Sequence, residues 1–287
     1  MTHRIHVAVS GVPGRMACLC ARAIAQAPDM NLYAHAWSSP RHAGKCVDGL
    51  PEVTGVGPMD SPEGSALLTE AQRTGMLVLD YSTPAAATAN ALAMAGAGVS
   101  FVMGTTGLDR ARVEAAVRHA GIPAVAAPNM AVPLVVLGAA LRWAAAEFPG
   151  ALAGLGLTIE ESHQATKKDV SGTAKAFLPL FEALGARPPE GEAAITSIRE
   201  PSQQQALGIP AEHLAGHAWH RYRLSEAAQG LDVELMHRVL GRQVYVAGTL
   251  RALRHVAGLR AAWAAEGALG RTGQGVLLSM EDVLREA

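Results

Sequence analysis

The fold class follows first from residues 5–17, IHVAVSGVPGRMA. The first six of these residues form an apolar run that predicts a buried strand, and residues 16–27 follow a helical pattern. The turn between them has the spacing G-x-x-G-x-x-A and begins at Gly11. Glycines let the backbone approach a pyrophosphate, whose charge is met by free N–H groups at a helix start. Such a turn is also a common structural connection, so it does not define a nucleotide site by itself.

The same strand–turn–helix unit is repeated along the first half of the chain. Further apolar runs predict strands at residues 31–38, 76–80, 100–103 and 123–126, with helices at 84–95 and 109–120. Strands that are apolar throughout and separated by helices are typical of a parallel sheet covered on both faces. We therefore predict an α/β fold whose N-terminal domain, residues 1–132, is a Rossmann-like parallel-sheet domain that binds a dinucleotide.

The pattern changes after Val132, where apolar and polar residues begin to alternate within the strands. The predicted elements are an Ala-rich helix at 133–147, a helix at 173–184, and strands at 154–161, 218–224, 231–239 and 243–249. Alternation favours a mixed or antiparallel sheet with one exposed face. We predict a smaller α+β domain with an open mixed sheet over residues 133–249, for substrate binding and oligomerisation. A final helix at 250–266 then packs back onto the first domain, so residues 250–287 complete it.

The composition is that of a globular protein, with 49% hydrophobic and 17% charged residues. Lys and Arg total 24 against 25 Asp and Glu, which gives no electrostatic reason to expect a nucleic acid or a membrane as partner. The three cysteines are an odd number, and Cys18 and Cys20 have no nearby partners at metal-binding spacing, so free thiols in a reducing cytosol are expected. The predicted strand begins almost at the N-terminus, which leaves no room for a targeting peptide, and the expected location is cytoplasmic.

The end of the predicted second strand bears on the choice of cofactor. An NAD-preferring site usually has an acidic residue there, which accepts a hydrogen bond from the ribose 2′-hydroxyl. Residues 36–42, AWSSPRH, contain no carboxylate. Hydroxyls and a guanidinium suit a 2′-phosphate instead, so Ser38 and Arg41 favour NADPH, with NADH still possible. An ordinary polar loop is the alternative interpretation.

Three more loops follow predicted strands of the same sheet. Ligands bind beyond the carboxyl ends of such strands. The loop at residues 104–107, GTTG, and the loop at 127–130, APNM, are therefore expected to line a nicotinamide. The segment DYSTP, residues 80–84, lies at the same edge, although its Ser, Thr and Pro also make a sound helix start.

Residues 161–175, ESHQATKKDVSGTAK, contain the most informative group of reactive side chains. His163 is a candidate general acid because imidazole titrates near working pH. Lys167 can pair with a substrate carboxylate, and a helix start with small residues can hold a second carboxylate through N–H and hydroxyl donors. Each feature also has a structural interpretation: an exposed histidine, a solvated lysine pair and a helix cap.

This run resembles the signature E-x-H-H-x-x-K-x-D-A-P-S-G-T-A of the dihydrodipicolinate reductase family, and E-S-H-Q-A-x-K-x-D-x-S-G-T-A-K-A is closer to its plant-type branch. Other matching motifs, in order along the chain, are GRM, DYSTP, FVMGTTG, EFPGALAG, IREPSQQ (198–204), GIPAEHLAGHAWHRY (208–222), HRVLGRQVYVAGT (237–249) and SMEDVLREA. Their number and order over nearly the whole chain make the resemblance specific.

The resemblance implies an NAD(P)H-dependent oxidoreductase that reduces 4-hydroxy-tetrahydrodipicolinate or dihydrodipicolinate in the diaminopimelate route to lysine. His163 corresponds to the catalytic histidine that helps to protonate the substrate as hydride arrives, and Lys167 to the lysine that engages the substrate. The residues that correspond to the substrate-carboxylate segment are Ser171, Gly172 and Thr173. Those that correspond to cofactor contacts are Gly11, Gly14, Arg15, Met16, Gly104, Thr105, Thr106 and Asn129. The family is oligomeric, so a homo-oligomer, dimer or tetramer, is implied.

The chain departs from the family pattern at several places. Ala17 replaces a third glycine, Gln164 replaces the second histidine, and residues 131–133, AVP, differ from the usual sequence. Two alternatives therefore stay open: a diverged member that reduces another dicarboxylated cyclic imine, and a non-catalytic NADPH-binding sensor. No metal is expected, because the remaining histidines, among them His217, His220 and His237, are scattered over predicted strands.

Overall fold

The structure is a computed structural model, and it describes residues 4–191, 193–226, 228 and 230–286. The chain divides into two compact units. The first unit holds the residues up to Val132 together with those from Tyr245 onward, and the second is Pro133–Val244. The second unit thus ends at Val244, whereas the sequence-based division lay after residue 249. No helix of the described residues has the length and apolar character needed to cross a bilayer.

The secondary structure alternates strands and helices in the first unit and is richer in long strands in the second. The strands are β1 Ile5–Val12, β2 Met30–Leu32, β3 His35–Ser38, β4 Cys46–Val47, β5 Leu50–Gly55, β6 Leu77–Asp80, β7 Phe101–Met103, β8 Pro123–Ala126, β9 Gly156–His163, β10 Ile195–Ile198, β11 His217–Glu226, β12 Leu231–Leu240 and β13 Val276–Leu278. The helices are α1 Arg15–Gln26, α2 Pro62–Thr74, α3 Pro84–Gly96, α4 Arg110–Ala120, α5 Val132–Glu147, α6 Gly172–Ala183, α7 Pro201–Ala206, α8 Val244–Ala265 and α9 Met280–Arg285.

The first unit is built on a nine-stranded sheet in the order β13-β8-β7-β6-β1-β3-β5-β4, with β2 also paired to β1. Every pairing is parallel except that of β4 with β5. Strands β6, β7 and β8 are buried along their whole length, because helices cover both faces of the sheet. The predicted Rossmann-like parallel sheet is therefore confirmed.

The second unit contains a four-stranded sheet in the order β10-β9-β11-β12. The β10–β9 pair is parallel and the other two pairs are antiparallel, which confirms a mixed sheet. One face forms a core in which Phe177 and Phe181 of α6 pack on Tyr222, with ring centroids 5.4 Å apart in both pairs. On the other face, alternate residues of β12 are exposed, among them Met236 at 53%.

Residues 243–249 were predicted as a strand, and this prediction is wrong because they begin helix α8. The β-branched and aromatic residues in VYV favour a strand locally. The buried positions of α8 are instead spaced as on one helix face: Val246, Thr249, Leu253 and Val256. Gly248 lies so close to the carbonyl oxygen of Met130 that an added Cβ would be 2.0 Å from it. Packing of this face therefore overrides the local preference.

The sequence analysis also missed several elements of the first unit, including helix α2 and strands β4 and β5. The signals for α2 are ordinary ones. The hydroxyl of Ser61 accepts a hydrogen bond from the N–H of Gly64 at 3.0 Å, Pro62 occupies the first turn, and Gly75 ends the helix in the left-handed region. The predicted strand at 31–38 is divided into β2 and β3, which both pair with β1.

Candidate active site

The glycine turn connects the carboxyl end of β1 to the start of α1. Gly11 has a φ of +103°, and a Cβ at this position would lie 2.3 Å from the carbonyl oxygen of Tyr81. The N–H of Gly14 donates to the carbonyl of Gly11 at 2.8 Å, and Gly14 precedes α1 without a side-chain cap. Arg15 is exposed and Met16 half-buried beside it. The uncapped N–H groups and the absence of side chains on the glycines fit a cofactor pyrophosphate.

The segment after β3 adjoins this turn, because Ser38 pairs in register with Val12. Ser38 is buried, and its hydroxyl donates to the carbonyl of Ser39 at 3.2 Å and accepts from the N–H of Gly57 at 3.1 Å. The hydroxyl of Ser39 lies 2.8 Å from Nδ1 of His42, and Arg41 is exposed. Ser38 therefore holds the loop, whereas Ser39, Arg41 and His42 present the polar groups that a 2′-phosphate could contact.

The loop at residues 104–107 is fastened to β6 by the buried carboxylate of Asp80. This carboxylate accepts hydrogen bonds from the hydroxyl of Thr105 at 2.7 Å, from Asn90 at 2.9 Å, and from the hydroxyl and N–H of Ser82 at 2.8 and 3.0 Å. The hydroxyl of Thr105, predicted to contact the cofactor, is thus committed to Asp80. Thr106 is the exposed threonine of this loop.

Two further contacts shape the same edge of the sheet. A Cβ on Gly104 would lie 2.2 Å from the ring of Tyr81, whose hydroxyl is 2.7 Å from that of Thr249. The Asn129 side-chain oxygen accepts from the N–H of Ala131 at 2.9 Å. Gly104 therefore gives the Tyr81 ring the space it occupies, and the Asn129 carbonyl shapes its own loop.

The reactive residues of the second unit lie at the end of β9 and in the loop that leads to α6. His163 is the last residue of β9, with a side chain that is 15% exposed. Lys167 is half-buried in the loop, and no ion pair to it is found among the residues that the structure describes. Ser171 caps α6, where Gly172 is exposed and Thr173 half-buried. The structure thus brings the predicted substrate residues onto one loop and one helix start.

The imidazole of His163 is bound through Nδ1 to the carboxylate of Glu161, at 2.7 Å. Glu161 is fully buried and also pairs with Arg199, at 2.6 Å between Nη2 and Oε1. Burial alone would raise the pKa of Glu161, but hydrogen bonds from His163, Arg199 and Ser197 outweigh it and hold the pKa well below its usual range. Glu161 is therefore a carboxylate at neutral pH.

Ser171 is directed into the core of the second unit. Its hydroxyl lies 2.7 Å from Nε2 of His220, and it also accepts from the N–H of Ala174. With this hydroxyl committed to the protein, the groups at the start of α6 that could hold a carboxylate are the N–H groups of Gly172 and Thr173 and the hydroxyl of Thr173.

The interpretation of His220 and His237 as scattered is wrong. Register places Glu161, His220 and His237 side by side on neighbouring strands, and the two imidazole rings stack with centroids 4.5 Å apart. Burial, with a smaller contribution from neighbouring imidazoles, lowers the pKa of His220 to about 3 and that of His237 to about 4, so both are neutral. His217 lies apart from them and is bound to the hydroxyl of Ser162 at 2.9 Å.

Sequence reasoning missed three residues that support His163: Ser197, Arg199 and Gln204. The side-chain amide of Gln204, which is buried, donates to the carbonyl of His163 at 2.7 Å. Arg199 and Gln204 occur in the motif IREPSQQ, but nothing in that motif shows which strand it lies beside. Glu161 is the first residue of the signature, but the sequence analysis assigned it no role.

Two sequence profiles of one family together match almost the whole chain. The sequence profile described as "Dihydrodipicolinate reductase, N-terminus" matches residues 5–130, and that described as "Dihydrodipicolinate reductase, C-terminus" matches residues 134–284. The chain is 36% identical to chloroplastic 4-hydroxy-tetrahydrodipicolinate reductase 2 of Arabidopsis thaliana over 255 residues, which cover 88% of this chain and 72% of that protein. It is 30% identical to the 4-hydroxy-tetrahydrodipicolinate reductase of Methanothermobacter thermautotrophicus over 264 residues, 88% and 93% of the two chains.

The fold is similar to that of a dipicolinate-bound dihydrodipicolinate reductase from Paenisporosarcina sp. TG-14. The TM-score is 0.63, with 19% sequence identity and with 98% of this chain and 99% of that chain covered. At this identity the similarity supports the fold.

Proposed function

The chain belongs to the dihydrodipicolinate reductase family, and from this premise we propose that it reduces 4-hydroxy-tetrahydrodipicolinate or dihydrodipicolinate, a dicarboxylated cyclic imine, with NADPH. The chain is an oxidoreductase of the Rossmann type, for which the family implies a nicotinamide cofactor. The arrangement of side chains at the end of β9 supports this proposal most directly. There His163 is oriented by a buried carboxylate, beside a loop with Lys167 and the start of α6.

The residues of the second unit account for substrate binding. A dicarboxylate matches the ammonium of Lys167 and the N–H groups at the start of α6, since each can hold a carboxylate group. These contacts fix the orientation of the imine, which contributes to the rate by positioning. They also balance the charge that moves within the ring during the reduction.

We assign to His163 the role of supplying the proton that the substrate takes up during the reduction. Its Nδ1 is bound to Glu161, which leaves Nε2 as the nitrogen that exchanges a proton with the substrate. The nicotinamide cofactor, when bound, supplies hydride to the carbon conjugated with the imine. Hydride brings an electron pair into the substrate ring, and the imidazolium of His163 provides or steers the proton that the reduced ring then takes up.

The residues of the first unit fit the cofactor. Gly11 and Gly14 form the turn before the uncapped start of α1, whose N–H groups would bind a pyrophosphate, and a side chain at Gly11 would clash with the backbone of Tyr81. The preference for NADPH rests on Arg41, which is exposed in a segment that adjoins the glycine turn and contains no carboxylate. A 2′-phosphate would pair with this guanidinium, whereas a 2′-hydroxyl would lack its usual acidic acceptor.

The proposed setting is a homo-oligomer in the cytosol. The open face of the second sheet, with Met236 exposed, supports association through that sheet, and light scattering would distinguish a dimer from a tetramer. Cys18 and Cys20 are buried free thiols, which is consistent with a reducing compartment.

The test is NADPH oxidation by the purified protein with enzymatically generated dihydrodipicolinate, compared with NADH at the same concentration. We expect turnover with both cofactors and a higher kcat/KM with NADPH. Binding of NADPH without turnover of this substrate would instead favour a relative that reduces another cyclic imine. A function that survives in both His163→Ala and Lys167→Ala would favour a non-catalytic sensor.

A further inference from the structure

The buried carboxylate of Glu161 has more hydrogen-bond donors around it than pairing with one histidine requires. Oε2 accepts from Nδ1 of His163 at 2.7 Å and from Nη1 of Arg199 at 3.0 Å. Oε1 accepts from Nη2 of Arg199 at 2.6 Å, from the hydroxyl of Ser197 at 2.5 Å and from the N–H of Ser171 at 3.4 Å. A carboxylate that is removed from water needs such compensation. Its donors come from three separate segments, the end of β9, residues 197–199 and the start of α6, so Glu161 fixes them relative to one another.

We propose that Glu161, held in place by Arg199, is the positioning residue that sets the ring orientation and the proton position of His163. The same arginine would fix the loop that carries Lys167. This proposal rests on the proposed function for its kinetic consequences, but its structural consequences can be measured without substrate.

The proton position on His163 is determined by which of the paired groups can donate. A carboxylate has no proton to donate, so the short contact with His163 requires a hydrogen on Nδ1. Neutral His163 is then the Nδ1–H tautomer with a free lone pair on Nε2, and protonated His163 presents an Nε2–H donor. Proton exchange is thereby confined to the ring nitrogen assigned to the substrate. The carbonyl of His163 is also fixed, by Gln204.

Arg199 links this carboxylate to the loop. Its Nε donates to the carbonyl of Lys167 at 3.0 Å and its Nη2 to the carbonyl of Asp169 at 3.3 Å, while Nη1 and Nη2 hold Glu161. A planar guanidinium has enough donors in fixed directions to make these contacts together, and an ammonium has not. The positions of His163 and Lys167 therefore depend on the same side chain.

The charges that face His163 give Glu161 a distinct electrostatic role. The charged or titratable groups that contact His163 or act on the cluster around it are Glu161, Arg199, His217, His220 and His237. Burial lowers the pKa of the last three, so they stay neutral. Among these groups, Glu161 carries the one negative charge. Its carboxylate is therefore the group that stabilises the imidazolium of His163.

Glu161→Gln tests this role with little change of shape. An amide can accept from Nδ1–H or donate to Nδ1, so the ring loses its single tautomer and the imidazolium loses its counter-ion. We expect kcat to fall at least about tenfold. The alkaline limb of the kcat–pH profile should move to lower pH, because the imidazolium has lost the carboxylate beside it. Glu161→Asp keeps the charge and should restore the position of that limb.

The matched control is Glu160→Gln. Glu160 lies on the same strand and pairs with Arg221 on the other face of the sheet, at 2.7 Å from Nε. This variant removes an ion pair of the same type and should leave kcat and its pH profile unchanged. Arg199→Lys keeps a positive charge beside Glu161 but loses the contacts to the loop. It should raise KM for the substrate by about tenfold while the pH limb stays in place.

The decisive measurement is the ¹⁵N spectrum of the histidine rings in the folded protein, with His163→Gln to assign the signals. The expected result is an Nδ1–H tautomer for neutral His163 in the wild type and in Glu160→Gln, and a mixture in Glu161→Gln. An Nε2–H tautomer in the wild type, or the same spectrum in Glu161→Gln, would overturn the proposal. Failure of the wild type to turn over dihydrodipicolinate would refute the proposed function instead, while this spectrum still decides the role of Glu161.

Discussion

The stacked imidazoles of His220 and His237 predict that the protein loses stability on mild acidification. Burial first, and neighbouring imidazoles second, lower the pKa of His220 to about 3 and that of His237 to about 4, whereas an unfolded histidine has a pKa near about 6.5. Between these values the unfolded chain binds more protons than the folded chain. The stabilising contribution is therefore complete above about pH 6.5 and is lost as the pH falls toward the folded-state values.

The size of the effect at pH 5 depends mainly on the unfolded state. A pH about 1.5 units below the unfolded pKa corresponds to about 2 kcal/mol for each imidazole that stays neutral in the folded state. The pair should therefore lower the free energy of unfolding by about 4 kcal/mol between pH 7.5 and pH 5. Most carboxylates titrate below this window, so their contribution is small within it.

The assay is urea denaturation, followed by tryptophan fluorescence and circular dichroism, at several pH values from 5 to 7.5. His237→Phe isolates one imidazole. Both ring nitrogens of His237 lack a hydrogen-bond partner within the described part of the chain, so an aromatic ring of similar size should be tolerated there at pH 7.5. The variant should lose about 2 kcal/mol less than the wild type on going to pH 5. An equal loss in the two proteins, or no loss in the wild type, would refute the reasoning.

Two further predictions concern the first unit. Gly104→Ala would place a methyl group 2.2 Å from the ring of Tyr81. We expect denaturation to show a loss of about 1–3 kcal/mol of stability, and fluorescence titration to show weaker NADPH binding. Unchanged stability and NADPH binding would contradict this packing. Arg41→Ala should weaken NADPH binding about tenfold through the loss of a phosphate contact, with NADH binding unchanged. An equal effect on both cofactors would argue against contact with a 2′-phosphate.

The parallel sheet of the first unit was predictable because patterns within short stretches of sequence indicate its strands and helices. A strand that is apolar throughout is typical of a buried strand, and a glycine-rich turn directly after it is typical of a connection to a helix. Strand β1, the turn and α1 could therefore be placed from residues 5–27 alone. The alternation in β9, β11 and β12 likewise predicted an open sheet. The stretch at 243–249 failed because its β-branched residues favour a strand, while the buried face that α8 presents includes residues well beyond that window.

The supporting residues of the candidate site were not predictable in the same way. Glu161, His220 and His237 are neighbours only because of strand register, and register is not visible in any one segment of the sequence. The same holds for Ser38, whose hydroxyl accepts a hydrogen bond from the N–H of Gly57, a residue distant in the sequence. A motif identifies residue types in order, whereas hydrogen-bond partners depend on which strands become adjacent.

The central proposal is that the protein delivers hydride to a dicarboxylated cyclic imine with a proton from His163. It is tested most directly with NADPH deuterated at C4, in separate 4R and 4S forms, and mass spectrometry of the product formed from dihydrodipicolinate. We predict that one of the two forms transfers its deuterium to the product, and that His163→Gln lowers the rate at least about 100-fold while NADPH still binds. Unlabelled, unreduced substrate in the presence of bound NADPH, or an unchanged rate in His163→Gln, would contradict it.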